Sequence, residues 1–438
     1  VRFHLGIDDT DSLKGGCTTK IATDLVLALT KEGASFLDHP NLVRLNPNVP
    51  WKTRGNGAVC IRIECDLDSQ MLLRLATEEI ERNSRLGDAE TDPGVVLVSG
   101  EIPPEVIRFG REALTRIVTL SEAVSLIKKA EAEAIGYGTA QGLIGALASI
   151  GTQFDHDYTY ELIAYRSRDY LGKPRLVDGG SVLRMSEEMK RCTFNNLDEE
   201  TGRVMITPRG LDPILCGVRG ESPDAVRKAF GMLRIQEPID SWMIFRTNQG
   251  TDTHLIRKLV VSELEDNCAV VLEGKVNDKP RTIRGGHVFF VLSDDTGSVH
   301  CAAYEPTGGF RRIVRKLEPG DRVRVFGGVR AAGNATPRTI NLEKLEVLGL
   351  AARTASQNPL CPKCRKRMKS AGKDQGFRCR QCKSHELQKI HSEIQRDLQP
   401  GVYLPPPRAH RHLTKPIVRY GREHTEPAAT PARDWHFP

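Results

Sequence analysis

Two cysteine pairs set the tightest constraint on what this 438-residue chain can fold into. Cys361 and Cys364 form one CxxC, Cys379 and Cys382 another, with fourteen residues between the pairs. Four thiolates at this spacing close a tetrahedral site for a structural Zn2+, with no open position for catalysis. Residues 355–395 are therefore expected to form a zinc ribbon. Lys363, Arg365, Lys366, Arg367, Lys369, Arg378 and Arg380 surround the cysteines, which suits contact with a nucleic-acid backbone. A knuckle that only braces protein against protein is the alternative. The other cysteines are scattered, so no disulfide framework is expected and they read as small core residues.

The basic character is concentrated at one end. The net charge is +7, yet from Ala351 onward 18 Lys or Arg stand against 7 Asp or Glu, leaving 45 against 49 before it. Such a field attracts polyanions and makes phosphate contacts salt-sensitive. No run approaches the roughly 18 apolar residues of a membrane helix, and the start of the chain lacks a signal-like pattern. A cytoplasmic protein with no membrane and no obligatory protein partner is expected.

At this length two to four cores are expected, and the texture changes along the chain accordingly. A strand at Phe3 to Ile7, a turn of Asp, Thr, Ser and Gly, and a helix from Thr18 or Thr19 open an α/β unit. A strand at Gly57 to Cys65, a helix at Met71 to Asn83 and another over Glu105 to Ala130 continue it. After the glycine-rich stretch IGYGTAQGLIGALASIG a second unit begins, with helices at Ser181 to Lys190 and Pro223 to Leu233. Its short alternating elements suit a ferredoxin-like α+β sandwich. From Asn267 to Leu350 five short strands, a DDTG turn and the helix candidate FRRIVRKL describe an OB-fold β-barrel. The expected fold is multi-domain α/β and α+β, with units at 1–135, 136–260, 267–350 and 355–395. Residues 396–438 form a basic, Pro-rich tail expected to have little structure of its own.

Chemistry is concentrated in HLGIDDTDSLKGGCTTK. Asp8, Asp9 and Asp11 stand at the carboxyl end of the first strand, where ligands bind in open α/β sheets. Crowded carboxylates repel, and Mg2+ relieves the repulsion while holding nucleotide phosphates. Gly15 and Gly16 permit close backbone approach, and Cys17, Thr18 and Thr19 open a helix whose amides favour an anion. The Thr18 hydroxyl could accept or contact a phosphoryl group. Nothing in the sequence marks a base that would activate Cys17 as a nucleophile. Lys14 and Lys20 are candidate phosphate counter-charges or solvated surface. The spacing is not that of a Walker A loop, and an aspartate-rich turn with an ordinary helix cap is the plain alternative. The glycines of 136–151 either cradle further phosphates or let backbone pack tightly. In FRTNQGTDTHL, Asn248, Gln249, Thr251, Asp252 and His254 cluster around Gly250; they form an interdomain turn, or offer Asp252 and the amides to a cationic substrate.

In this order, GIDDTDS with CTT, an α+β middle, FRTNQGTD, an OB barrel and two CxxC pairs, the chain resembles the archaeal tRNA-isoleucine 2-agmatinylcytidine synthetases up to its tail. The resemblance implies ATP-dependent replacement of the wobble cytidine's 2-oxygen by agmatine in the isoleucine tRNA with a CAU anticodon, so that it reads AUA. In that family ATP is cleaved to AMP and two phosphates, and the cytidine is phosphorylated before the amine displaces phosphate. Residues 1–135 would be the kinase-like ATP/cytidine domain, with Asp8, Asp9, Asp11 and Thr18 handling metal and phosphoryl groups. Gly15, Gly16, Cys17, Thr19, Lys14 and Lys20 would line the phosphates, and Asn248, Gln249, Thr251 and Asp252 are candidates for agmatine. Barrel and ribbon would hold the tRNA with its cytidine turned outward. Two rivals are a non-catalytic RNA-binding protein and a different ATP-dependent enzyme indifferent to agmatine.

Overall fold

Strand β1 (Arg2–Asp8) alternates Phe3, Leu5 and Ile7 with His4 and Gly6, yet all five are buried, because helices cover both faces of the sheet. The computed structural model describes residues 1–438 apart from residues 13, 53, 54, 335, 428 and 433. Helix α1 (Thr18–Lys31), β2 (Ser35–Phe36), β3 (Asn41–Arg44), β4 (Gly57–Glu64), α2 (Ser69–Asn83) and β5 (Gly94–Ser99) follow. The helix expected over Glu105 to Ala130 is two, α3 (Pro104–Ala113) and α4 (Leu120–Lys129). The break comes from a capping box: the Thr119 hydroxyl accepts from the Glu122 amide, and the Glu122 carboxylate accepts from the Thr119 amide.

Strand β6 (Glu133–Gly136) pairs with β5, and α5 (Gly142–Gly151) lies across β1, β4 and β5. Helix α5 is apolar all round and nearly every residue is buried, as such a helix must be. Then come β7 (Thr159–Arg166), α6 (Gly179–Glu188), the short β8 (Thr193–Phe194), β9 (Leu197–Asp198) and β10 (Arg203–Val204), β11 (Ile214–Gly220), α7 (Pro223–Gly231) and β12 (Ile239–Thr247). The two α/β units share one sheet, ordered β6-β5-β1-β4-β3-β12-β7-β11-β8. They join where β3 and β12 run parallel, with Asn41 opposite Arg246 and Leu42 opposite Thr247. One continuous apolar core backs the whole sheet.

The barrel is β13 (Ala269–Val276), β14 (Arg281–Thr282), β15 (Val288–Asp294), β16 (Gly297–Ala303), α8 (Phe310–Val314), β17 (Arg322–Arg330) and β18 (Thr339–Gly349). Strand β13 pairs with both β15 and β17, which closes a five-stranded circuit through β18 and β16. The closure is partial, and the edge it leaves on β15 is taken by β14. The ribbon has its own small core of Cys361, Met368, Phe377 and Cys379. Among the described residues no helix is long and apolar enough to cross a membrane.

The C-terminal segment departs from expectation. Gly401–Tyr403 adds a strand to β18 and His436–Phe437 adds one to β12. Leu413 and Arg419 are buried between these points, and Trp435 packs on Phe36. A Pro-rich chain with no helical or alternating pattern carries no local signal of order. Here order comes from docking onto strands and carboxylates supplied by distant parts of the sequence.

Candidate active site and zinc ribbon

At the end of β1 the backbone turns sharply, with Asp9 at φ +59°. The loop closes through reciprocal amide bonds between Ser12 and Gly15 and returns at α1. The Asp11 carboxylate accepts from the Thr18 amide at 2.9 Å, at the helix N-terminus where a negative charge is favoured. The Thr18 hydroxyl accepts from Thr10 at 3.0 Å and points toward Asp11 at 3.4 Å. Gly16 lies at φ +83°, and a Cβ there would stand 2.8 Å from the Thr10 carbonyl oxygen. Burial, then repulsion from Asp9, pushes the Asp8 carboxyl well above the usual carboxylate range. Burial pushes Asp9 up to about 6. A divalent cation would relieve the repulsion among these carboxylates, although among the described residues only the four ribbon cysteines bring three or more ligand atoms within 4.8 Å of one another.

Helix α5 fixes this cluster from behind. A Cβ on Gly145 would lie 1.7 Å from an Asp8 carboxylate oxygen, and one on Gly142 would lie 2.8 Å from the Asp8 carbonyl oxygen. The glycines of α5 therefore serve close packing, the second of the two roles open to them.

Asp8, Asp9, Asp11, Cys17, Thr18 and Thr19 all line one cavity of about 650 Å³. Its other walls bring in Thr139, from the glycine-rich stretch, and residues that no motif announced: Arg44, Lys52, Glu90, Asp92 and His412. Asp92 accepts from the Thr139 amide and hydroxyl at 2.9 and 2.6 Å. Lys52 comes from the run VPWKTRGNG, whose Trp, cations and glycines between two strands were the one available signal for this wall. Lys14 and Lys20 do not line the cavity. Lys14 is bound to Asp88 at 2.8 Å on the surface, and Lys20 of α1 to Asp24 of the same helix and to Asp240 of β12. Cys17 is buried with its sulfur 3.1 Å from the Thr19 hydroxyl.

The 248–252 segment lies behind the cavity. The Asn248 amide group brackets the backbone of Arg44, accepting from its N–H at 2.8 Å and donating to its carbonyl at 2.9 Å. Gln249 donates to Glu161 and contacts His412. Thr251 donates to the Asn248 carbonyl. Asp252 holds Lys344 at 2.5 Å and the Lys415 amide at 2.8 Å. Asn248, Thr251 and Asp252 line a second, smaller cavity of about 240 Å³.

In the ribbon the ligand atoms of Cys361, Cys364, Cys379 and Cys382 lie within 4.8 Å of one another. That arrangement fits a single Zn2+ held by four thiolates.

Family profiles match four stretches: the TiaS TCKD domain at residues 4–70, the TiaS FLD domain at 140–254, an OB-fold nucleic acid binding domain at 270–348 and the TiaS C-terminal zinc ribbon domain at 358–398. A carboxylate-lined cavity in a two-unit sheet, an OB barrel and a four-cysteine ribbon on one chain define a multi-domain tRNA-modifying enzyme. The chain is 40% identical over 437 residues to TiaS of Methanosarcina mazei, a 2-agmatinylcytidine synthetase for an isoleucine tRNA, covering 98% of this chain and 100% of that protein. It is 41% identical to the synthetase of Archaeoglobus fulgidus, covering 97% and 99%. The crystal structure of apo TiaS superposes with a TM-score of 0.86 at 40% identity, over 96% of this chain and 98% of that one. A complex of TiaS with its isoleucine tRNA, AMPCPP and agmatine superposes with 0.83 at 38%, over 95% and 97%. The chain belongs to the TiaS family, the tRNA-isoleucine 2-agmatinylcytidine synthetases.

Proposed function

We propose that this chain, acting in the cytoplasm, joins agmatine to C2 of the wobble cytidine of the isoleucine tRNA with a CAU anticodon, using ATP, and so lets that tRNA read AUA. The observation that carries the reading is the convergence of Asp8, Asp9, Asp11 and Thr18 on one cavity large enough for a nucleotide and a base, in a chain similar along its length to those synthetases.

The chemistry follows from leaving-group ability. The cytosine 2-oxygen leaves poorly until it is phosphorylated. Attack of that oxygen on the terminal phosphorus of ATP forms a P–O bond and breaks the bond to ADP. Agmatine's primary amine then adds at C2 and loses a proton, and inorganic phosphate departs with the oxygen; the ADP loses its β-phosphate to water in a separate step, so that AMP and two phosphates are the products. Asp8, Asp9 and Asp11 would hold Mg2+, which screens phosphate charge when bound. Thr18, at the helix N-terminus, would contact the phosphoryl group, with Gly15, Gly16, Cys17 and Thr19 shaping its surroundings. Agmatine's cationic ends are matched by Glu90 and Asp92, with Asn248, Gln249, Thr251 and Asp252 shaping the wall behind. The barrel and basic ribbon would grip the tRNA while the cytidine turns out of its stack.

Purified protein incubated with Mg-ATP, radiolabelled agmatine and unmodified isoleucine tRNA is expected to label that tRNA only when ATP is present, and to leave a methionine tRNA unlabelled. Asp8→Ala or Asp11→Ala is expected to abolish labelling while tRNA binding survives. Equal loss of binding would make the loop a folding element instead.

A further inference from the structure

One cation on the cavity wall, Arg44, is held without a counter-charge of its own. Arg44 ends β3, and its backbone is clamped on both sides by Asn248. Its guanidinium fills a slot that only glycine leaves open: a Cβ on Gly55 would lie 2.6 Å from Nη1 and one on Gly57 2.7 Å from it. Nε is buried without a hydrogen-bond partner. Among the described residues no carboxylate forms an ion pair with Arg44. The nearby carboxylate of Glu161 is committed to Arg219 at 2.9 Å and to Gln249. His412 beside them is held neutral, its basicity suppressed chiefly by Arg44. Glu161, Arg219, Arg44 and neutral His412 sum to one positive charge, and Asp11 is the other carboxylate that acts on Arg44 without forming an ion pair with it.

An unpaired charge taken from water is costly unless a ligand neutralises it. The ligand must be anionic, and a guanidinium's planar fork matches phosphate oxygens. We propose that Arg44 is a catalytic residue that binds an anionic phosphate oxygen of ATP in the cavity that the aspartates also line. This rests on the function proposed above and assigns that site a cation the aspartate motif does not contain. The Asn248 clamp then positions Arg44.

The test is ATP-dependent agmatine labelling of the isoleucine tRNA by wild type, Arg44→Ala and Arg44→Lys, with tRNA affinity and melting temperature measured alongside. A wild type that labels nothing refutes the function itself and is thereby told apart from failure of this assignment. With an active wild type, Arg44→Ala is expected to lower kcat/KM for ATP by about a hundredfold, with tRNA affinity and melting unchanged. Arg44→Lys should keep part of the activity, and low guanidinium chloride should restore activity to Arg44→Ala but not raise that of wild type. Wild-type kcat/KM for ATP in Arg44→Ala would overturn the assignment. So would a loss that guanidinium leaves unmoved, or one accompanied by lowered melting and tRNA affinity.

Discussion

The aspartate cluster is held open by what surrounds it, and the same logic governs the buried histidines. His4 and His39 are each buried and held neutral, burial lowering both to about 4 from 6.5. Arg62 adds to the effect at His4 and Arg246 at His39. His39 sits edge-on to Tyr160 and to Trp435 of the C-terminal segment. Because the folded values are depressed, the unfolded chain binds more protons between pH 6.5 and 4, so stability rises with pH through that window and falls on acidification. Lowering the pH from 7 to 5 is expected to cost about 2 kcal/mol for each histidine. Urea unfolding at the two pH values measures this, and His39→Gln should flatten the slope. An unchanged slope in that variant would assign the acid sensitivity elsewhere. At this scale the sequence was informative only where chemistry was contiguous. Asp8, Asp9, Asp11 and Thr18 lie within one loop and could be read together, whereas Arg44, Asp92 and His412 reach the same cavity from three distant places. Each of those alone is an ordinary charged or polar side chain.

Helices and strands with a clear period were legible, as with α1, β4 and α7. Those defined by long-range contact were not. The C-terminal segment is the main example, because its anchors are side chains on other elements. Arg419 is fully buried and pairs with both oxygens of Asp157 at 3.0 Å and with Glu221 at 2.9 Å, and it donates to the Gly250 carbonyl at 2.6 Å. Lys415 adds a second cation on Asp157. Seven residues before Arg419, His412 enters the active cavity, so this strap ties the end of the chain to the site. Arg419→Met would leave the Asp157 and Glu221 carboxylates short of a partner, and removal of one member of such a buried pair costs about 3–5 kcal/mol. We expect a lower melting temperature, faster proteolytic cleavage between residues 404 and 424, and reduced tRNA labelling. Wild-type protease resistance in this variant would show that the strap is held by its strands and not by Arg419.

Across the molecule, three of the four apolar clusters among the described residues carry separable duties. The sheet that frames the carboxylates is one apolar body, the barrel is another, and the ribbon's few buried residues form a third. The sequence displayed the barrel through its turn spacing and the ribbon through its cysteines. It held no sign that the first two units merge into one sheet, since a parallel join between β3 and β12 spans some two hundred residues and leaves no local pattern. Separate cores predict separate failures. Cys379→Ser should release zinc, because three thiolates remain of a four-thiolate site, and the ribbon should unfold with it. The main melting transition of the sheet should stay in place. Binding to the isoleucine tRNA should weaken. If Lys363, Arg365, Lys366, Arg367 and their neighbours contact phosphates, the slope of log affinity against log salt should also become shallower, each lost contact removing about 0.7–0.9 from it. Fluorescence titration at several salt concentrations, with zinc measured by a chelating dye, reads both effects together. Zinc loss that left affinity and salt slope unchanged would make the ribbon a brace between protein surfaces and move the whole tRNA grip onto the barrel and the sheet.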